Sequence, residues 1–147
     1  NYSKAGSTED IKNEIDRMVR EEKLSLKQAE CIKLKDIDTF AGSSIGERIK
    51  RAYAYGGVKR EQPFVFEYDR QLVQGVIDLY FIEDGQLVIV DYKTDRVLRG
   101  RAGEDELRRR YSIQLDYYAM ALSQITGLKV KEKVIYSFAL GRSLTVE

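Results

Sequence analysis

The sequence of 147 residues has no histidine and no tryptophan, and only one cysteine and one proline. Without histidine there is no Ser-His or Cys-His couple and no imidazole to hold zinc. Acid–base or metal chemistry therefore falls to Asp, Glu, Lys and Tyr. A lone Cys31 closes no internal disulfide and builds no zinc site, so packing is its expected role. A reducing, cytosolic setting is the matching expectation. No apolar run is long enough to cross a bilayer and no secretory signal pattern is present, so no membrane partner is expected. The net charge of +1 leaves a nucleic-acid partner to local basic patches rather than to the total.

What is present fits one folded domain with a core: 43% of residues are hydrophobic and 33% charged. Residues 1–57 read as helical. Thr8 suits an N-cap, with Ile11, Ile15, Met18 and Val19 on one face. Capping-box spacing recurs from Ser25 to Gln28 and from Ser44 to Glu47, and Gly56-Gly57 ends the helical part. The period then changes. "FVFEY" (64–68), "LVQGVIDLYFI" (72–82) and "QLVIVDYK" (86–93) read as strands, with Pro63 at the start of the first. A polar loop over 95–103 leads into a helix over 104–125, striped by Leu107, Tyr111, Leu115, Tyr118 and Leu122 and closed by Gly127. "KVIYSFAL" (133–140) and "SLTVE" complete the pattern as strands. A strand–helix–strand crossover implies some parallel pairing, so residues 58–147 are expected to form an α/β unit with a mixed sheet flanked by helices.

Chemistry concentrates at the hairpin. Asp84-Gly85 is a type I′ turn signal. Counting outward from it, Glu83 faces Gln86, Ile82 faces Leu87, Tyr80 faces Ile89, and Asp78 faces Asp91. Two carboxylates then stand opposite on adjacent strands, and Lys93 points to the same face as Asp91. Both strands are apolar on both faces, so the sheet is expected to be covered on both sides. Like charges about 5 Å apart repel by roughly 3 kcal/mol at an effective dielectric near 20. A divalent cation between them reverses that cost, and hard oxygen ligands favour Mg²⁺ or Mn²⁺. The bland alternative is a salt-bridge cluster at a solvated strand end.

The stretches "GVIDLYF", "LVIVDYKTD" and "QLDYY", in this order and spacing, resemble the PD-(D/E)XK nucleases of the RecB type, and most of all the C-terminal nuclease domains of AddA-type helicase–nucleases. The resemblance runs from "REQPF" (60–64) to the final strands. It implies a restriction-endonuclease-like core and Mg²⁺-dependent hydrolysis of DNA phosphodiesters, with Mn²⁺ as a possible substitute. Carried over, Asp78 and Asp91 are metal ligands joined by the backbone carbonyl of Tyr92, and Lys93 is the catalytic lysine. Gln114 and Tyr118 match a Q-x-x-x-Y motif that lies beside the site and helps hold DNA; plain core packing suits Tyr118 equally well. Double-strand ends and single strands are the implied substrates. The implied partners are a helicase portion of the same polypeptide and an AddB-type subunit, in a bacterial cytoplasm, in the service of recombination repair. No Walker A motif is present, so the motor is expected elsewhere.

One departure stands out. The family carries a histidine ligand on an upstream helix, and this sequence has none. The expectation is that residues 1–147 are a fragment whose histidine precedes residue 1, and that the fragment by itself is weak or inactive. Glu61 of "REQPF" is a further candidate near the site, against a reading as a solvated acid at a strand start. Arg108, Arg109 and Arg110 are candidate phosphate contacts, against a reading as a solvated helix face. Tyr111 and Tyr117 fit the core better than a base-stacking role. The competing functions are a DNA-binding module that keeps the fold without cutting, and a stand-alone Cas4-like or phage-type exonuclease.

Overall fold

The computed structural model describes residues 34–147. The expected helix from Thr8, the Ser25–Gln28 capping box and Cys31 lie outside the described residues. Two short helices, α1 (Leu34–Gly42) and α2 (Ser44–Ala54), precede three strands: β1 (Val58–Tyr68), β2 (Gln71–Glu83) and β3 (Gln86–Lys93). A long helix, α3 (Arg101–Thr126), then leads to β4 (Val130–Ser137) and β5 (Arg142–Val146).

The five strands form one sheet in the order β1-β2-β3-β4-β5. Only β3 and β4 pair in parallel, the two strands that α3 connects; the other neighbours are antiparallel. The sheet is therefore mixed, as expected, because a parallel pair needs a crossover long enough to return to the same edge. Helices α1 and α2 cover one face, where Phe40, Ile45 and Ile49 meet Leu79, Phe81, Val88, Val90 and Tyr136. Helix α3 covers the other, setting Leu107, Leu115, Tyr118 and Leu122 on Ile77, Tyr80, Leu87, Ile89 and Ile135. That is the striped helix read from the sequence, except that Tyr111 is only half-buried.

Several boundaries move, each for a local reason. The α2 cap is Ser43, one residue before the expected Ser44, and its hydroxyl accepts from Gly46 N at 3.1 Å. Gly46 is required there, since a Cβ would lie 2.2 Å from the Phe40 carbonyl oxygen. Strand β1 begins at Val58, so Pro63 falls inside it and not at its start. A proline is tolerated there because β1 is an edge strand, and an edge N–H needs no partner. Helix α3 starts at Arg101. Gly127 ends it in the left-handed conformation, φ 73°, donating to Ser123 O.

One irregularity shapes the site. Ile77 and Tyr80 pack on the α3 side, whereas Leu79 and Phe81 pack on the α2 side. Strict alternation would place Ile77 with Leu79. The slip falls on the row of Glu61 and Asp78: the β1–β2 ladder pairs Arg60 with Leu79 and Gln62 with Ile77 but omits the row between. Glu61 takes φ 51° at that point. Beyond the slip, the β1–β2 ribbon turns Phe64 and Phe66 toward α3 and leaves Val65 and Leu72 exposed. The expectation of a sheet covered on both sides thus holds for its centre and fails for this ribbon.

Candidate active site

The Asp84-Gly85 turn has φ of 54° and 73°, both left-handed, as a type I′ turn needs. The ladder follows the count made from the sequence: Glu83 with Gln86, Ile82 with Leu87, Tyr80 with Ile89, and Leu79 with Val90. The next row is Asp78 and Asp91. Here the backbone ladder stops and a side chain takes over. Tyr92 N donates to Asp78 Oδ2 at 2.9 Å. The slip at Glu61–Asp78 makes this possible, because it takes Asp78 out of regular pairing on both sides.

Asp91 is 2% exposed. Its Oδ2 makes no aligned hydrogen bond, although Lys93 Nζ lies 2.9 Å away as an ion pair. Burial first, then the charge of neighbouring Asp91, pushes the Asp78 carboxyl well above the usual carboxylate range; the Tyr92 N–H and the Lys93 charge pull the other way. The two acids also lie within hydrogen-bonding reach of each other. Such a pair holds a proton between its members or takes up a cation instead.

Helix α3 supplies the other wall. Lys93 Nζ donates to Gln114 Oε1 at 3.2 Å and stands 4.0 Å from the centroid of the Tyr111 ring. Tyr111 in turn donates its hydroxyl to Asp95 Oδ2 at 2.5 Å, and Arg110 reaches the same oxygen at 3.0 Å. One turn beyond Gln114, Tyr118 is buried edge-on against Phe64, ring centroids 5.4 Å apart. Burial, then the charges of Asp91 and Asp78, pushes its phenol upward, and a hydrogen bond with Gln114 opposes them. Tyr118 is thus a core residue and a neighbour of the acids at once.

The structure gathers Asp78, Asp91, Lys93, Gln114 and Tyr118 around the end of β3. Glu61 occupies the same cross-strand row as Asp78, yet among the described residues no three acidic, histidine or cysteine side chains form a metal-holding group. The three arginines are engaged elsewhere. Arg108 donates to Thr145 O at 3.0 Å and pairs with Asp105 at 3.3 Å, Arg109 pairs with Glu106, and Arg110 pairs with Asp95 and with Glu106. Sequence reasoning missed Tyr111 as a neighbour of Lys93 and Asp95 as the acceptor that holds the Tyr111 hydroxyl. A signal was available: Tyr111 precedes Gln114 by three residues and so shares its face of the helix.

The donor chemistry fits a hard divalent cation. Two carboxylates converge, burial and like charge make their joint ionisation costly, and one oxygen has room for a further partner. Asp78 and Asp91 would hold the ion, with the Tyr92 carbonyl as a further oxygen.

A family model of the PD-(D/E)XK nuclease superfamily matches residues 3–144. Among proteins with similar sequences, the A subunit of the ATP-dependent helicase/nuclease of Clostridium novyi (strain NT) is 34% identical over 154 residues, which take in 94% of this chain. The protein of the same name from Thermoanaerobacter sp. (strain X514) is 40% identical over 94% of the chain, and that of Acetivibrio thermocellus is 40% identical over 92%. In each case the chain spans 12% of the relative's length.

Proposed function

The chain belongs to the PD-(D/E)XK nuclease superfamily, and we propose that it hydrolyses DNA phosphodiester bonds with a divalent cation, Mg²⁺ or Mn²⁺, held by Asp78 and Asp91. Its mixed sheet with helices on both faces is the restriction-endonuclease-like core of that superfamily. The observation that carries the reading is the pair of acids at the end of β3, Asp91 buried and Asp78 half-buried, with Lys93 Nζ 2.9 Å from Asp91. A purely structural sheet avoids opposed carboxylates.

When bound, the cation supplies Lewis-acid polarisation of the phosphate and lowers the pKa of water beside it. The residues supply placement. Gln114 and the Tyr111 ring fix the Lys93 ammonium, a donor without a lone pair when charged. It is placed to hydrogen-bond an attacking water or a phosphoryl oxygen on which charge grows. The Tyr92 N–H holds the Asp78 carboxylate in one orientation, and the Tyr118–Phe64 contact keeps bulk water from that side.

The names of the similar proteins extend the proposal. The chain acts as the nuclease portion of a helicase–nuclease of the AddA kind, working as an exonuclease on double-strand ends and single strands in recombination repair. Its partners are the helicase portion and an AddB-type subunit, in the bacterial cytoplasm. Among the described residues no helix is long and apolar enough to cross a membrane. A second reading, a module that grips DNA without cutting it, draws on the acid pair having no third acidic, histidine or cysteine ligand among the described residues. Cleavage of linear DNA decides between them. Loss of the products in EDTA and in Asp91→Asn supports hydrolysis; DNA binding with no cleavage at any Mg²⁺ or Mn²⁺ concentration favours the second reading.

A further inference from the structure

The segment after Lys93 presents an unusual surface. It reads "TDRVLRGR", residues 94–101, with arginines at 96, 99 and 101. Asp95 is pinned by Tyr111 and Arg110, and Val97 packs into the α3-side core. Gly103 brings the first turn of α3 so near that a Cβ there would lie 1.6 Å from the Leu98 carbonyl oxygen. The segment is thus anchored at its start, middle and end. Yet Leu98 is 75% exposed, and among the described residues neither Arg96 nor Arg99 has a carboxylate partner. Between this segment and α3 runs a groove of about 520 Å³, walled by Arg96, Arg109 and Arg110 and floored by Val97, Leu98 and Ala102. Glu106 is its one acid, and it is already paired with Arg109 and Arg110.

We infer that this groove, together with Arg99 of the segment beside it, holds the single-stranded nucleic acid that runs past the acid pair, with phosphates on Arg96 in the groove wall and on Arg99 outside it, and an unpaired base on Leu98. The inference rests on the nuclease reading and names the surface that positions its substrate. Charge complementarity selects a polyanion. The exposed leucine selects an unpaired base, because duplex DNA keeps its bases stacked on one another and offers phosphates alone. A basic groove that tracks phosphates, with side chains on which bases rest, grips single strands without reading sequence; aromatic rings are the usual platform, and here the aliphatic Leu98 takes that place. The site is adjacent to the chemistry, since Arg110 of the groove wall and Tyr111 share Asp95 as acceptor, and the Tyr111 ring lies against Lys93.

The test is fluorescence anisotropy of a fluorescein-labelled oligothymidylate with the full 147-residue chain, in EDTA so that nothing is cut, over a range of NaCl concentrations. The double variant Arg96→Ala/Arg99→Ala is expected to bind about tenfold more weakly. Its log–log salt slope should fall by about 1.4, at roughly 0.7 for each phosphate left without its arginine on a single strand. Leu98→Ser is expected to weaken binding severalfold at an unchanged slope. Arg96→Lys/Arg99→Lys is expected to keep the slope, and Arg70→Ala, at the exposed β1–β2 turn, is expected to change nothing. A duplex of equal length should compete poorly. Unchanged affinity and slope in the double alanine variant, failure of the unsubstituted chain to bind, or equal preference for duplex overturns the inference. Asp91-dependent cleavage alongside any of these leaves the nuclease reading standing. Conversely, arginine-dependent binding by a chain that never cuts supports the groove and removes the nuclease reading.

Discussion

The backbone N–H of Tyr92 donates to the Asp78 carboxylate at 2.9 Å, at the point where the β2–β3 ladder ends. A side chain thus replaces a strand's backbone as acceptor, and its carboxyl is set beside a second acid, where ionising both is costly. That is a local cost, and removing it should show. In EDTA, Asp78→Asn keeps an oxygen for Tyr92 and relieves the repulsion with Asp91. The variant is expected to be more stable by about 1 kcal/mol, or roughly 3 °C in Tm. The same substitution should abolish cation binding and cleavage. A lower Tm would mean that the acid pair is not a source of strain.

The pH dependence of the metal-free chain follows from the same pair. Asp78 is shifted upward from its ordinary value of 3.8, chiefly by burial and then by Asp91. A folded-state pKa above the unfolded one means that folding favours the protonated form. Its stabilising contribution is complete below about pH 4 and is lost as pH rises through the folded-state value. Urea denaturation in EDTA at several pH values should therefore show a loss of stability above about pH 4 that Asp78→Asn removes. Saturating Mn²⁺ should cancel the loss in the unsubstituted chain, because the cation takes the proton's place. An identical pH profile for the two chains would disprove the coupling.

Both expectations stand on a register that the sequence already contained. Asp84-Gly85 encodes its turn through residues that accept positive φ, and strict pairing arithmetic then carries Asp78 to Asp91. The turn at Asp69-Arg70 has the same handedness, with φ of 50° and 62°, but no glycine announces it. The slip at Glu61 was hidden for a similar reason. Period-2 patterning reports which residues are apolar, and β2 is apolar on both faces, so a change of face leaves no mark in its composition. Lys93's surroundings were half legible. Gln114 was visible as part of a motif, while Tyr111 looked like one more member of the core stripe. Only the folded chain distinguishes a ring packed in the core from a ring under an ammonium.

Lys93 and Tyr111 should separate in kinetics. Lys93→Ala is expected to remove cleavage while leaving Mn²⁺ affinity within about twofold, since a charged amine has no lone pair for a metal. Tyr111→Phe keeps the ring under the ammonium and loses only the bond to Asp95; a fall of severalfold in kcat is expected. Tyr111→Leu removes the ring, leaving Lys93 held by Gln114 and Asp91 alone. Its kcat is expected to fall by about 10²-fold at nearly constant KM, in line with the cost of small misplacements at a reacting centre. Parallel losses in Phe and Leu variants, tracking Tm, would reduce Tyr111 to a packing residue.

Gly103→Ala is expected to be among the most damaging single methyl additions in the chain. The new Cβ would meet the Leu98 carbonyl, a backbone atom that no rotamer can move aside. Either the first turn of α3 frays or the segment 94–100 shifts, at a cost of about 3 kcal/mol. A shift would also pull Asp95 from Tyr111, so cleavage should fall more than Tm alone explains. Gly85→Ala is the matched comparison. It carries positive φ but meets nothing within 4 Å, so it should cost about 1 kcal/mol and leave activity intact. Equal losses for the two would show that the close approach at Leu98 is not real.

The cation site should be a weak one. Among the described residues no third acidic, histidine or cysteine side chain joins the proposed ligands Asp78 and Asp91, which leaves one backbone carbonyl to add to them. Magnesium keeps much of its water shell and asks for about six ligands, so waters would fill the remaining positions. Each water in place of a protein ligand loosens the ion, and a loosely placed ion activates water poorly. The 147-residue chain is therefore expected to bind Mn²⁺ only weakly, with a dissociation constant on the order of 1 mM, equivalent to about 4 kcal/mol. Cleavage should be correspondingly slow and should rise with Mn²⁺ well into the millimolar range. Electron paramagnetic resonance of free Mn²⁺ measures the binding directly, with Asp91→Ala as the blank. Micromolar affinity that disappears in Asp91→Ala would mean that a further ligand completes the site, and a scan of acidic residues, beginning with Glu61, would then find it.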